Sequence, residues 1–288
     1  MQLKIITDTS ADLPEKIISQ HKLEVVPLLV TYQDKVYRDG VTLKPLELFD
    51  GMRSGKVYKT SQVPIGDFKE VFTRYAREKL ECLYIAFSSA LSGTYQSAIL
   101  AREQVLEEYP DFQLEIIDSK CASIGQGLVV YHALQLVQSG MNRAEVIEAV
   151  KFQARHMEHI FTVDDLEYLY RGGRVSRTAA LIGGLLNIKP ILNVEEGKLI
   201  PLEKKRGRKL VLKRMIEIME ERGVALSEQL VGISHADDPE GAEVLKGMIK
   251  ERFGVSDFLI NTIGSVIGAH TGPGTLAIYF LNQEYSPK

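Results

Sequence analysis

Short β-branched runs recur along this chain, separated by stretches of helical period, and that alternation restricts the fold more than any single motif does. Strands with helices between them give an α/β architecture whose sheet is largely parallel, because each strand must return to the same edge through a covering helix. The pattern predicts strands over residues 3–7, 23–32, 82–88 and 113–118. Between the third and fourth, residues 93–109 place Ala98, Ile99, Ala101, Arg102, Val105 and Leu106 as a helix packed on a sheet would. Residues 119–140 and 142–156 read as two further helices, the second with Asn142 as N-cap and Glu145 three residues on, as in a capping box.

The second half opens with a strand over 159–163 and then changes character. Residues 188–203 hold two apolar runs joined by Glu195-Glu196-Gly197-Lys198, a hairpin pattern, so an antiparallel element is expected here. A helix over 208–222, a strand over 229–235, a helix over 239–253, a strand over 257–263 and a last strand over 276–281 follow. At 288 residues the chain is about twice a usual domain of ~150, so two α/β lobes are expected, 1–150 and 151–288, with a ligand cleft between them. The N-terminal lobe should hold a mainly parallel sheet and the C-terminal lobe a mixed one. The boundary falls inside helical sequence near 141–158, which implies closely docked lobes.

Composition excludes several classes. A hydrophobic fraction of 45% with 25% charged residues suits a folded globular chain, and a net charge of −3 provides no global field for nucleic acid. Cys82 and Cys121 have no metal-ligand or disulfide spacing, and two reduced thiols are expected. The start reaches Asp8 after a short apolar run and reads as a first strand; with no apolar stretch of ~20 residues, a cytoplasmic protein is expected.

Polar small residues gather where strands end, the place where open α/β sheets meet ligands. Asp8-Thr9-Ser10-Ala11-Asp12 suits a turn and the N-cap of a helix after Pro14. Thr60-Ser61-Gln62-Val63-Pro64 suits either a helix start or a hydrogen-bonding loop. Ser88-Ser89-Ala90-Leu91-Ser92-Gly93-Thr94 runs into a helix with more hydroxyls than one cap needs, which fits a well-capped helix or a site for a carboxylate or phosphate. Residues 264–275 read as a loop holding Gly264, Gly268, Gly272 and Gly274 around His270, whose ring is structural or ligand-facing.

Nucleophile-elbow, P-loop and dinucleotide-binding glycine patterns are all absent, which leaves hydroxyls and one histidine, and no acid stands at a telling spacing from them. Such an inventory binds better than it reacts. Two basic runs, Arg171-Gly172-Gly173-Arg174 and Lys204-Lys205-Arg206-Gly207-Arg208-Lys209, fit solvated faces or local docking surfaces. Cys121 fits a small core residue, and Phe68, Phe72 and Tyr75 have the spacing of a buried helix face.

Taken in order, DTSADLP, KTSQVP, SSALSGTYQSA, DSKCASIGQG, LEYLYRGGRVS, IKPIL and GSVIGAHTGPGTLAIYF cover nearly the whole chain and resemble the DegV family. Its members include the fatty-acid-binding subunit of bacterial fatty acid kinase. The resemblance implies a two-lobed α/β protein that holds one long-chain fatty acid between its lobes. It also implies no cofactor and no catalysis of its own: a separate kinase subunit phosphorylates the bound carboxylate with ATP, and the acyl phosphate enters phospholipid synthesis. Carried onto this sequence, the carboxylate-binding positions are Thr60, Ser61, Ser92, Gly93 and His270, and Arg171 is the arginine near the phosphorylation site or kinase interface. Transient membrane contact is compatible with this role. Val63 stands before Pro64 where the family often has T-S-Q-P, which reshapes the loop around Ser61. Against this stands an enzyme acting unaided on a small carboxylate or phosphate through Ser92 or His270, and a lipid-sensing regulator that docks elsewhere through residues 204–209.

Overall fold

The computed structural model describes residues 3–175 and 188–285. Ser176, the last residue of the R-G-G-R-V-S motif, lies outside the described residues.

Strand β1 (Lys4–Asp8) leads through a 3-10 turn, Thr9–Ala11, to helix α1 (Glu15–His21). The expected single strand over 23–32 is two: β2 (Glu24–Val26) and β3 (Leu29–Tyr32), separated at Pro27. Proline has no N–H to give a ladder, and the chain uses the interruption to change sheets. β2 pairs parallel with β1, whereas β3 pairs antiparallel with β4 (Lys35–Arg38) and β5 (Lys59–Ser61). Helix α2 (Pro45–Arg53) lies between β4 and β5; strands of three or four residues are too short to reveal a period, and this small sheet is an addition to the expected elements.

Helix α3 (Ile65–Arg77), β6 (Cys82–Ala86), α4 (Thr94–Glu108) and β7 (Leu114–Asp118) complete a four-stranded parallel sheet in the order β2-β1-β6-β7. Phe68, Phe72 and Tyr75 are buried against it, as their spacing requires. Helix α5 (Ile124–Gln138) starts five residues later than the sequence suggests. Lys120 (φ 57°) and Ser123 (φ 52°) are both left-handed, a conformation in which a helix cannot propagate. α6 (Arg143–His156) begins with the expected capping box: Asn142 Oδ1 accepts from Glu145 N, and Glu145 Oε2 accepts from Asn142 N, both at 3.1 Å.

From α6 the chain passes directly into β8 (Met157–Thr162), the first strand of a second sheet. After α7 (Glu167–Arg171), β9 (Ile188–Glu195) and β10 (Lys198–Arg206) form the expected hairpin. Its turn residues Glu196 and Gly197 have φ 47° and 78°, the paired positive values that suit the twist of a two-residue hairpin. α8 (Arg208–Arg222), β11 (Leu230–His235), α9 (Pro239–Phe253), β12 (Asp257–Thr262), α10 (Ser265–Thr271) and β13 (Leu276–Leu281) follow. The six-stranded mixed sheet runs β10-β9-β8-β13-β11-β12, with β11 and β12 its parallel pair. Residues 264–275, expected as a loop, therefore hold a short helix.

Helix α5 joins the two lobes. Residues 124–130 are all buried, and the helix touches β1 and β6 of the first sheet and β8, β11, β12 and β13 of the second. The first two turns of α5 have no solvent face, and Leu128, Val129 and Val130 accordingly share one core with residues of both sheets. Fully burying each such side chain contributes about 1.5–3 kcal/mol, so the seam between the lobes is held by packing. Cys121 lies in this core and Cys82 in the adjoining one, both as buried free thiols.

Candidate functional site

A cavity of about 480 Å³ opens between the two sheets. Most of its wall is apolar: Leu28, Phe87 and Leu91 from the first lobe, Phe161, Val194, Leu199, Ala277 and Tyr279 from the six-stranded sheet, and Ile263, Val266 and Ile267 leading into and along α10. The strand register explains the floor. Phe161 on β8 lies opposite Ala277 on β13, and His159 opposite Tyr279, so alternate residues of neighbouring strands face the same space. Its volume falls within the usual range for small-molecule pockets, ~300–1,000 Å³.

Polar side chains interrupt that wall. Thr60, Ser61, Gln62, Ser92, Gly93, Arg174 and His270 all border the cavity. Thr60 is on β5, the edge of the small sheet, and its Oγ1 is 2.7 Å from His270 Nε2 on α10. His270 Nδ1 is buried with no partner among the described residues. Burial, reinforced by the nearby Arg174 charge, lowers the His270 pKa from 6.5 to about 4, so the ring is neutral at pH 7. A neutral imidazole beside a hydroxyl can donate or accept, and an entering carboxylate would draw a proton toward it.

Across the site, Ser92 Oγ is 2.9 Å from Thr94 Oγ1 and accepts from Thr94 N at 3.3 Å, at the start of the 15-residue α4. Gln62 donates to Ser97 Oγ at 2.7 Å, and its Oε1 lies where a Cβ on residue 93 would sit, so a side chain at 93 would push the Gln62 amide aside. Ser92 and Gly93, the two residues before α4, thus border the cavity, with Ser92 Oγ capping Thr94 N.

Two basic residues part company. Arg171, the arginine singled out from the sequence, does not border the main cavity; it is exposed, lies over the Tyr168 ring at 5.7 Å, and lines an adjoining recess with Lys56, Lys59 and Thr60. Arg174 is the residue that reaches the site. Its Nε donates to Leu91 O at 3.1 Å and its Nη1 to Gly172 O at 2.6 Å, and among the described residues no carboxylate pairs with it. A helix ending at Arg171 turns the chain through Gly173 (φ 70°), and that turn sends the second arginine of the motif inward.

Sequence reading missed His159 and Asp39, and read Asp8 and Asp12 as turn and cap residues where the structure buries them. His159 lines the cavity, with Nε2 accepting from Ala122 N at 3.3 Å, and burial lowers its pKa to about 4. Asp8 accepts from Phe87 N at 3.0 Å and Tyr84 Oη at 2.6 Å, so the Asp8–Asp12 cluster is an internal hydrogen-bonding hub; α1 is capped by no side chain. Burial raises the pKa of Asp8, of Asp12, and of Asp39, the last to about 6. Of the basic run, Lys205 pairs with Glu203 and Arg208 with Asp238, so part of its charge is answered locally. Among the described residues no cluster of His, Cys, Asp or Glu is placed to hold a metal ion, and no helix is long and apolar enough to cross a membrane.

Fold and site together define a class: two sheet-centred α/β lobes enclosing a largely apolar cavity with a small polar end. A family model described as "Uncharacterised protein, DegV family" matches residues 2–283. A DegV domain-containing protein of Clostridium perfringens is 43% identical over 286 residues, covering 98% of each chain. The chain belongs to the DegV family. Among solved structures, a DegV family protein from Thermus thermophilus described by its fatty acid binding superposes with a TM-score of 0.87 at 31% identity, covering 98% of this chain and 100% of that one. A DegV lipid-binding protein from Thermotoga maritima gives 0.88 at 31% identity, covering 99% and 100%.

Proposed function

We propose that this chain is a fatty-acid carrier that holds one long-chain fatty acid in the cavity between its lobes and presents the carboxylate to a separate kinase subunit. The observation that carries this reading is the shape and chemistry of that cavity: about 480 Å³, mainly apolar, with the Thr60–His270 pair at its polar end. The fatty acid binding described for the Thermus relative supports the same assignment. Burying some fifteen methylenes at ~0.8 kcal/mol each contributes on the order of 10 kcal/mol before association costs. The carboxylate dragged in with the tail needs replacement for its lost water, and Thr60, Ser61, Ser92, the Gly93 backbone and His270 provide uncharged donors.

Two features favour a carrier over an enzyme that acts unaided. Among the described residues His270 Nδ1 meets no carboxylate or carbonyl that would orient it as a base, and Ser92 is bonded to Thr94 with no bond to the histidine. Neutral donors leave the bound carboxylate its nucleophilic oxygen, which suits attack on a γ-phosphoryl group delivered by a partner. Arg174 is near enough to the polar end to steady developing negative charge, while Arg171 and the recess it lines are placed for partner contact. Native mass spectrometry of protein purified from cells tests the carrier reading. One retained long-chain fatty acid per chain is expected, and a clean apo protein that also fails to take up palmitate or oleate contradicts it. The finer step is tested by adding a fatty acid kinase catalytic subunit with ATP: acyl phosphate should form only when both proteins are present.

A further inference from the structure

We infer that Asp12 and Asp39 are positioning residues for the polar end of the cavity: from the first lobe they anchor the start of α10 so that His270, further along it, meets Thr60. This rests on the fatty-acid reading above. α10 has seven residues, a length that is not stable unaided, and its N-cap, Gly264, has no side chain with which to cap it. The helix is held from outside. Gly264 N donates to Asp12 Oδ1 and Ser265 N to Asp39 Oδ1, each at 2.9 Å. Carboxyl oxygens fixed at a helix N-terminus satisfy amides that no residue within the helix can reach, and whatever negative charge they carry interacts favourably with the helix dipole.

The anchoring is close and buried. Asp12 and Asp39 are 6% and 1% exposed, and a Cβ on Gly264 would overlap Asp12 Oδ1, so only glycine allows the approach. Asp12 Oδ2 also accepts from Ser123 Oγ at 2.5 Å, and Ser123 lines the cavity, so one carboxylate ties the start of α10 to the cavity wall. His270 follows Ser265 by five residues, about one and a half helical turns, so a small rotation or slip at the anchored end is carried to the ring. A purely structural cap needs no link to the wall of a ligand cavity.

The test compares two probes that share a tail, palmitate and 1-hexadecanol, on the full chain. For wild type, palmitate should bind at least tenfold more tightly than hexadecanol. In Asp39→Ala that ratio should fall tenfold or more while hexadecanol affinity stays within threefold, and the His270 ring nitrogen resonances should move; Asp39→Asn, whose amide oxygen can still accept from Ser265 N, should restore most of the ratio. Gly264→Ala, which displaces Asp12 from the helix start without altering charge, should act in the same direction and serves if Asp39→Ala does not fold. The inference is overturned if the variants lose thermal stability but keep the wild-type ratio and His270 resonances, or lose both ligands equally. A wild type that binds hexadecanol as well as palmitate instead overturns the headgroup assignment itself.

Discussion

Replacing Thr60 with valine removes one hydroxyl and keeps the shape of the side chain, which makes it the sharpest probe of the polar end of the cavity. That hydroxyl lies 2.7 Å from His270 Nε2, and His270 Nδ1 has no partner among the described residues, so Thr60→Val leaves the ring with no protein hydrogen bond among them. Stripping a partner from a partly buried polar group costs about 1–3 kcal/mol, taken here near the lower end because Thr60 is itself only half-buried. The unliganded variant should therefore melt a few degrees below wild type. With a fatty acid bound as proposed, the loss is a hydrogen bond to its carboxylate, about 1.5–3 kcal/mol, or roughly 10- to 100-fold in affinity. Isothermal titration at pH 7.5 with palmitate and 1-hexadecanol separates the two effects: palmitate should weaken by that factor and hexadecanol by less than threefold. An unchanged palmitate affinity, or an equal loss for both ligands, would refute the placement of the carboxylate at Thr60.

Ala277, 3% exposed on the cavity floor opposite Phe161, has room above it only because the cavity is there. Ala277→Phe should displace about four methylenes of a long tail, worth about 3 kcal/mol or ~100-fold for palmitate, and leave decanoate binding within threefold in a displacement assay. His270, with its pKa lowered by burial and by Arg174 to about 4 from 6.5, is neutral when folded, so its contribution to stability is present above pH 6.5 and is lost as the pH falls toward 4. Asp39, raised to about 6, acts in the opposite sense between pH 6 and 3.8, so the measurement is a difference: relative to His270→Gln, which shares Asp39, wild-type denaturant stability should decline by up to about 3 kcal/mol across that window. Burial pushes the Cys82 thiol up to about 12 and Cys121 higher still, so neither should react with a disulfide reagent at pH 8 until the protein is unfolded.

Where periodic burial sets the structure, the sequence is readable. The parallel strands at Cys82–Ala86 and Leu114–Asp118, the capping box at Asn142 and Glu145, and the hairpin turn at Glu196 and Gly197 follow from short apolar runs set between helical stretches, cap chemistry and turn chemistry. Short elements carry no such period: the three-stranded sheet around Leu29–Tyr32 and the helix Ser265–Thr271 exist because other parts of the chain hold them. Of the polar cluster, Thr60, Ser61, Ser92, Gly93 and His270 do border one cavity, although more than 200 residues separate the first from the last. Two arginines three residues apart cannot be told apart by composition; the inward course of Arg174 and the outward one of Arg171 depend on the backbone turn at Gly173. The contacts of Asp12, which the sequence offers only as part of a turn and cap, and of Asp39 are silent for a related reason, since their partners Gly264 and Ser265 lie more than 220 residues away and are backbone amides.

A crystal structure of the protein grown with palmitate tests the central claim most directly. It should place the acyl chain between Phe87, Phe161 and Ala277, with its carboxylate oxygens in hydrogen-bond reach of Thr60 Oγ1 and His270. A seam closed to lipid, or a fatty acid lying with its methyl end at His270, would contradict it.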